Sequence, residues 1–130
     1  MADEHDVGGE RPEEAAARQR GETQVADLRR RIDQIDDQLM KLLNSRSACA
    51  VEIGRLKRQI GMPVYQPERE KWILERAERN NPGPLDSGAV RRVFERVIDE
   101  SRRLERLAGE VPETDGTDRE SNGQQRTDNG

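Results

Sequence analysis

Four polar side chains stand where the surrounding pattern calls for apolar ones: Arg46, Lys57, Ser101 and Glu105. Lys57 follows Arg46 by three helical turns, within about 20° of the same face and about 16 Å further along. Ser101 interrupts an apolar stripe near the end of the chain, and Glu105 follows it by four residues on the same side. A guanidinium, an ammonium, a hydroxyl and a carboxyl facing one interior volume would suit a small anion. Ionisable groups are costly to bury unless paired or functional. Each residue alone has a plainer explanation. Arg46 could set helix register, Lys57 could reach out to water from a helix end, and Glu105 could face solvent. Arg29 adds a geometric constraint, because it precedes Arg46 by about 25 Å of helix. One small ligand cannot touch both on a single straight helix. If both serve it, Arg29 comes from a second, antiparallel chain.

The elements that must carry these residues are helices. Between Val25 and Ile60 there is no proline, and Gly54 is the sole glycine. Leu28, Ile32, Ile35, Leu39, Leu42, Arg46, Cys49, Ile53, Leu56 and Ile60 recur in steps of four and three, a heptad seam. One helix of about 35 residues, about 50 Å long, is predicted, ended by Gly61 and Pro63. Pro67 suits the first turn of a second helix carrying Ile73, Leu74 and Ala77. Asn80-Asn81-Pro82-Gly83-Pro84 breaks it, and a third helix starts near Asp86 or Ser87 with the stripe Val90, Val93, Phe94, Val97, Ile98, Ser101 and Leu104. The fold class is all-α, three helices per chain, one of them long. So long a helix with one apolar seam outruns what the rest of its chain can cover, so a homodimer is expected.

The 130 residues are 31% hydrophobic and 38% charged, with a net charge of −4. Large apolar side chains are scarce in residues 1–23 and 109–130, which read as disordered tails around a working domain over 24–108. The negative balance argues against nucleic-acid binding, and no apolar run approaches membrane-spanning length or the core of a signal peptide. Cys49 is the one cysteine and His5 the one histidine, so neither an internal disulfide nor a metal cluster is expected, and a reducing cytoplasm fits.

The run LRRRIDQIDDQLMKLLNSRSACAVEIGRLKRQIGMPVYQPEREKWILERA resembles the first two helices of the all-helical, AroQ-type chorismate mutases, and VRRVFERVIDESRRLE resembles their third. The carrying motifs are the leading L-R with I-D-x-I-D, then R-x-x-x-A-x-x-I-G-x-x-K, P-V-x-x-x-x-R-E and E-S-x-x-x-E, in order across about residues 25–107. The resemblance implies an intertwined, domain-swapped homodimeric bundle that rearranges chorismate to prephenate on the route to phenylalanine and tyrosine. It also implies roles. Arg46 and the second chain's Arg29 bind the substrate carboxylates, and Lys57 bonds the ether oxygen and a carboxylate. Glu70 accepts from the substrate hydroxyl beside Gln66 and Arg69, Ser101 helps hold a carboxylate, and Glu105 addresses the ether oxygen. Two positions depart from familiar members, Gln66 where some carry Asp and Glu105 where the best-known bacterial forms carry Gln.

A concerted [3,3] rearrangement requires no nucleophile, metal or cofactor, so catalysis rests on orientation and charge. Arginine forks suit carboxylates, and a compact ammonium suits an oxygen gaining electron density. Glu105 would repel that oxygen when ionised and donate to it when protonated. An isochorismate–pyruvate lyase on the same fold is the nearest alternative. A non-catalytic helical dimerisation module is another, although it leaves the four polar interruptions unexplained.

Overall fold

The computed structural model describes residues 9–110, all of whose regular structure is helical: α1 (Pro12–Ile60), α2 (Pro67–Arg79) and α3 (Ser87–Glu110). The chain divides into two compact units, Met1–Leu43 and Asn44–Gly130.

The first unit holds the N-terminal part of α1, and its start differs from expectation. The helix begins at Pro12, well before residue 24, so residues 12–23, expected to be disordered, are helical. Apolar scarcity was a poor guide there because local chemistry suffices. Pro12 has a preset backbone, Ala15–Ala17 are strong helix formers, and Glu13 and Glu14 meet the positive end of the helix. The Arg11 N–H donates to Glu14 Oε1 at 3.3 Å, half of a capping box. Arg18 grips both oxygens of Glu10, with Nη2 at 2.6 Å from Oε1 and Nε at 2.9 Å from Oε2. That contact holds the Glu10 carboxyl below its ordinary range. Further along, Leu28, Ile32, Ile35 and Leu39 are each at least half exposed, so the predicted seam is bare in the single chain. Residues 1–8, and residues 111–130 of the expected C-terminal tail, lie outside the described residues.

The second unit contains the end of α1 with α2 and α3. Its small core includes Ala50, Leu74, Val90 and Ile98. α1 stops in a Schellman turn: the Met62 N–H donates to the Lys57 carbonyl at 2.8 Å and the Gly61 N–H to that of Arg58 at 3.4 Å. Gly61 takes φ +72°, a conformation that costs glycine little, and Pro63 cannot continue the helix. Pro67 opens α2 as predicted. After Asn80 the chain reverses through a loop in which Asn81 Oδ1 accepts from the Gly83 N–H at 3.1 Å and its Nδ2 donates to the Leu85 carbonyl at 2.6 Å. Asp86 caps α3, its Oδ1 accepting from the Ala89 N–H at 2.7 Å. The Arg91–Glu78 pair at 3.2 Å ties α3 to α2.

Gly54 sets the spacing of α1 and α3. A Cβ built there would lie 2.4 Å from the Glu105 carbonyl oxygen and 2.7 Å from its Cα. Only glycine permits so close a backbone approach, and it brings Glu105 over the α1 face that carries Lys57.

Candidate functional site

The C-terminal part of α1, the loop after it, the start of α2 and the middle of α3 enclose a cavity of about 190 Å³. Seven of the eight residues singled out in the sequence line it: Arg46, Lys57, Gln66, Arg69, Glu70, Ser101 and Glu105. Apolar walls come from Ala50, Ile53, Val64, Ile73 and Ile98. The eighth, Arg29, belongs to the first unit, where it is exposed on α1 and does not line this cavity.

Several of these polar groups are tied to another element. Arg46 Nη1 donates to the Ser101 hydroxyl, joining α1 to α3. Lys57 is 7% exposed, the one charged residue in the buried core among the described residues. Its Nζ donates to Glu105 Oε1 at 2.7 Å and to the Val64 carbonyl at 3.0 Å. The ammonium therefore points inward with two acceptors satisfied, and does not reach outward from the helix end. Glu105 is likewise an interior residue, its side chain 14% exposed. Arg69 stacks over Trp72 with its guanidinium carbon 4.8 Å from the ring centre.

Sequence reasoning missed Arg102. Its Nε and Nη2 donate to Glu70 Oε2 and Oε1 at 3.0 and 2.9 Å, a two-point pair between α3 and α2. Its guanidinium also lies 5.5 Å from the centre of the Tyr65 ring. The Glu70 carboxylate holds Arg102 above its ordinary pKa, with partial burial opposing. A signal was present: Ile98, Ser101, Arg102 and Glu105 follow the i, i+3, i+4, i+7 spacing of one helix face. The neighbouring Arg103 disguised it as part of an ordinary charged run.

Four cationic side chains line the cavity against two carboxylates. The carboxylates are occupied by Lys57 and Arg102. Among the described residues neither Arg46 nor Arg69 forms an ion pair with a carboxylate. Two cations at the cavity wall, half-buried Arg46 and the more exposed Arg69, therefore lack carboxylate partners among the described residues. Such a site can take a compact ligand carrying two negative charges, with a hydroxyl of Ser101 and carboxylates of Glu70 and Glu105 to orient it.

Comparison with known proteins identifies the family. A bifunctional chorismate mutase/prephenate dehydratase from Pseudomonas aeruginosa is 40% identical over 87 residues, which are 63% of this chain and 24% of that protein. The chain thus spans about a quarter of the length of the first curated relatives it matches. A chorismate mutase structure from Thermus thermophilus superposes with a TM-score of 0.62 at 33% identity, covering 63% of this chain and 93% of that one. The Helicobacter pylori chorismate mutase solved in complex with prephenate gives 0.61 at 29% identity, covering 66% and 93%. The family described as chorismate mutase type II matches residues 28–106, a span that includes every residue of the cavity, and the chain belongs to that family.

Proposed function

We propose that this chain is a chorismate mutase, converting chorismate to prephenate for phenylalanine and tyrosine synthesis. The observation that carries the proposal is the pair of guanidiniums without carboxylate partners, Arg46 and Arg69, in a cavity that also presents the Lys57–Glu105 pair. Chorismate is a compact dicarboxylate, so the positive charge these two cations add to the cavity wall favours its binding. In the reaction the ether C–O bond breaks as a C–C bond forms. Electrons and atoms balance within the substrate.

In this proposal Arg46 and Ser101 hold one carboxylate, and Arg29 of a second copy reaches the other. Arg69 and Gln66 line the ring end, and Glu70 accepts from the ring hydroxyl. Lys57 Nζ turns from Glu105 toward the ether oxygen as charge develops there, and Glu105 stands beside that end of the ligand. The enzyme lowers the barrier by holding the flexible enolpyruvyl arm over the ring and by stabilising the departing oxygen. The two sites of a homodimer, each built from both chains, would operate in the cytoplasm.

The test is turnover of chorismate by the purified chain, with prephenate distinguished from pyruvate plus hydroxybenzoate. Prephenate should form, and Arg46→Ala should lower kcat/KM by about 10²- to 10³-fold, the range for losing one preorganised donor. Release of pyruvate from isochorismate without prephenate formation would instead establish the lyase. Neither turnover nor ligand-induced stabilisation would leave a helical dimerisation module.

A further inference from the structure

Glu70 sits in the first turn of α2 with its side chain 22% exposed, and the mutase reading needs its carboxylate in one place. A free glutamate samples many rotamers, and freezing a long side chain costs conformational entropy. Nothing on α2 itself provides that restraint. The restraint comes from α3, where the Arg102 fork meets both carboxylate oxygens at 2.9 and 3.0 Å. A carboxylate has about four lone-pair sites, so two remain for a ligand after the fork is bound. The same guanidinium packs toward Tyr65, in the loop that also supplies Val64 and Gln66 to the cavity wall. Arg102 thus touches the start of α2, the α1–α2 loop and its own helix at once. Its Nη2 also lies 3.4 Å from Asp99 Oδ1, one turn back on α3 and over half exposed, a longer contact than the 2.9 Å to Glu70.

We propose that Arg102 is a positioning residue: its two-point grip on Glu70, braced against Tyr65, fixes that carboxylate as the acceptor for the hydroxyl of the bound cyclic dicarboxylate. The identity of that ligand rests on the mutase reading. Arginine is required because its planar fork fixes both oxygens, whereas lysine offers a point charge that leaves the carboxylate free to rotate. Losing a charge-assisted pair of this kind should lower kcat/KM by about 10- to 30-fold.

The experiment is a double-mutant cycle on the full chain with Arg102→Leu, Glu70→Leu and both together, supplemented by Arg102→Lys and Arg102→Ala. Arg102→Leu should show the full loss, Arg102→Lys an intermediate one, and Arg102→Leu should add less than about threefold in the Glu70→Leu background. Guanidinium ion added to Arg102→Ala should restore part of the activity, which a merely structural arginine would not permit. Arg102→Leu within twofold of the parent, or losses that multiply in the double variant, would overturn the proposal. If Arg102→Leu fails to fold, the lysine variant and the guanidinium rescue decide in its place. If the parent chain makes no prephenate, the mutase reading fails separately. The cycle is then read in the shift of melting midpoint caused by chorismate or prephenate: coupling there sustains the Arg102 role, and additive shifts or none overturn it.

Discussion

The Lys57–Glu105 pair shows why the chemistry of this cavity was visible in the sequence while its wiring was not. Polar residues at apolar positions marked Arg46, Lys57, Ser101 and Glu105, because helical periodicity makes such interruptions stand out. Which group bonds which depended on how α1 and α3 approach, and a single-helix pattern carries no such information. Arg102 illustrates the limit: its partner lies 32 residues away, on a different helix. Removing one member of a buried ion pair leaves the other charge without compensation, at about 3–5 kcal/mol, whereas replacing both with apolar side chains is close to neutral. Lys57→Met should therefore lower the urea midpoint strongly, and Lys57→Met/Glu105→Leu should recover most of that loss while remaining inactive. A double variant as unstable as the single one would show that the pair is not the source of the cost.

At the scale of elements, the punctuation of the helices was legible from local chemistry. Gly61, Pro63, Pro67 and Asp86 each stand where backbone geometry demands their type, and the Schellman turn, the α2 start and the α3 cap follow. The start of α1 was not legible, because a helix stabilised by alanine, a proline first turn and charge pairs needs no apolar stripe. Gly54 was visible as the lone glycine in a long helical stretch, but its reason is tertiary. Gly54→Ala should raise intrinsic helix propensity by about 1 kcal/mol and yet destabilise the protein, because the added methyl collides with main chain that cannot rotate away. We expect a net loss of about 1–3 kcal/mol, a fall in Tm of several degrees, and reduced turnover as Glu105 is displaced. An alanine variant as stable and active as the parent would show that the helices separate freely.

For the whole molecule, the exposed seam of α1 is the outstanding fact. Val25, Leu28, Ile32, Ile35, Leu39 and Leu42 are between 45% and 68% exposed, a contiguous apolar stripe unsuited to water. The proposed second copy would cover it and would deliver Arg29 to the cavity. Accordingly the melting midpoint should rise with protein concentration. Ile32→Glu/Leu39→Glu should halve the mass seen in sedimentation and abolish turnover together, whereas an active monomer would sink the shared-site arrangement. At Gly54 the contact between α1 and α3 is with main chain, since the glycine is fitted to the carbonyl, carbon and Cα of position 105 and not to its side chain. That contact does not depend on which side chain position 105 bears. Selection can exchange a carboxylate for an amide there, removing the negative charge beside Lys57, without having to rebuild the main-chain contact at Gly54.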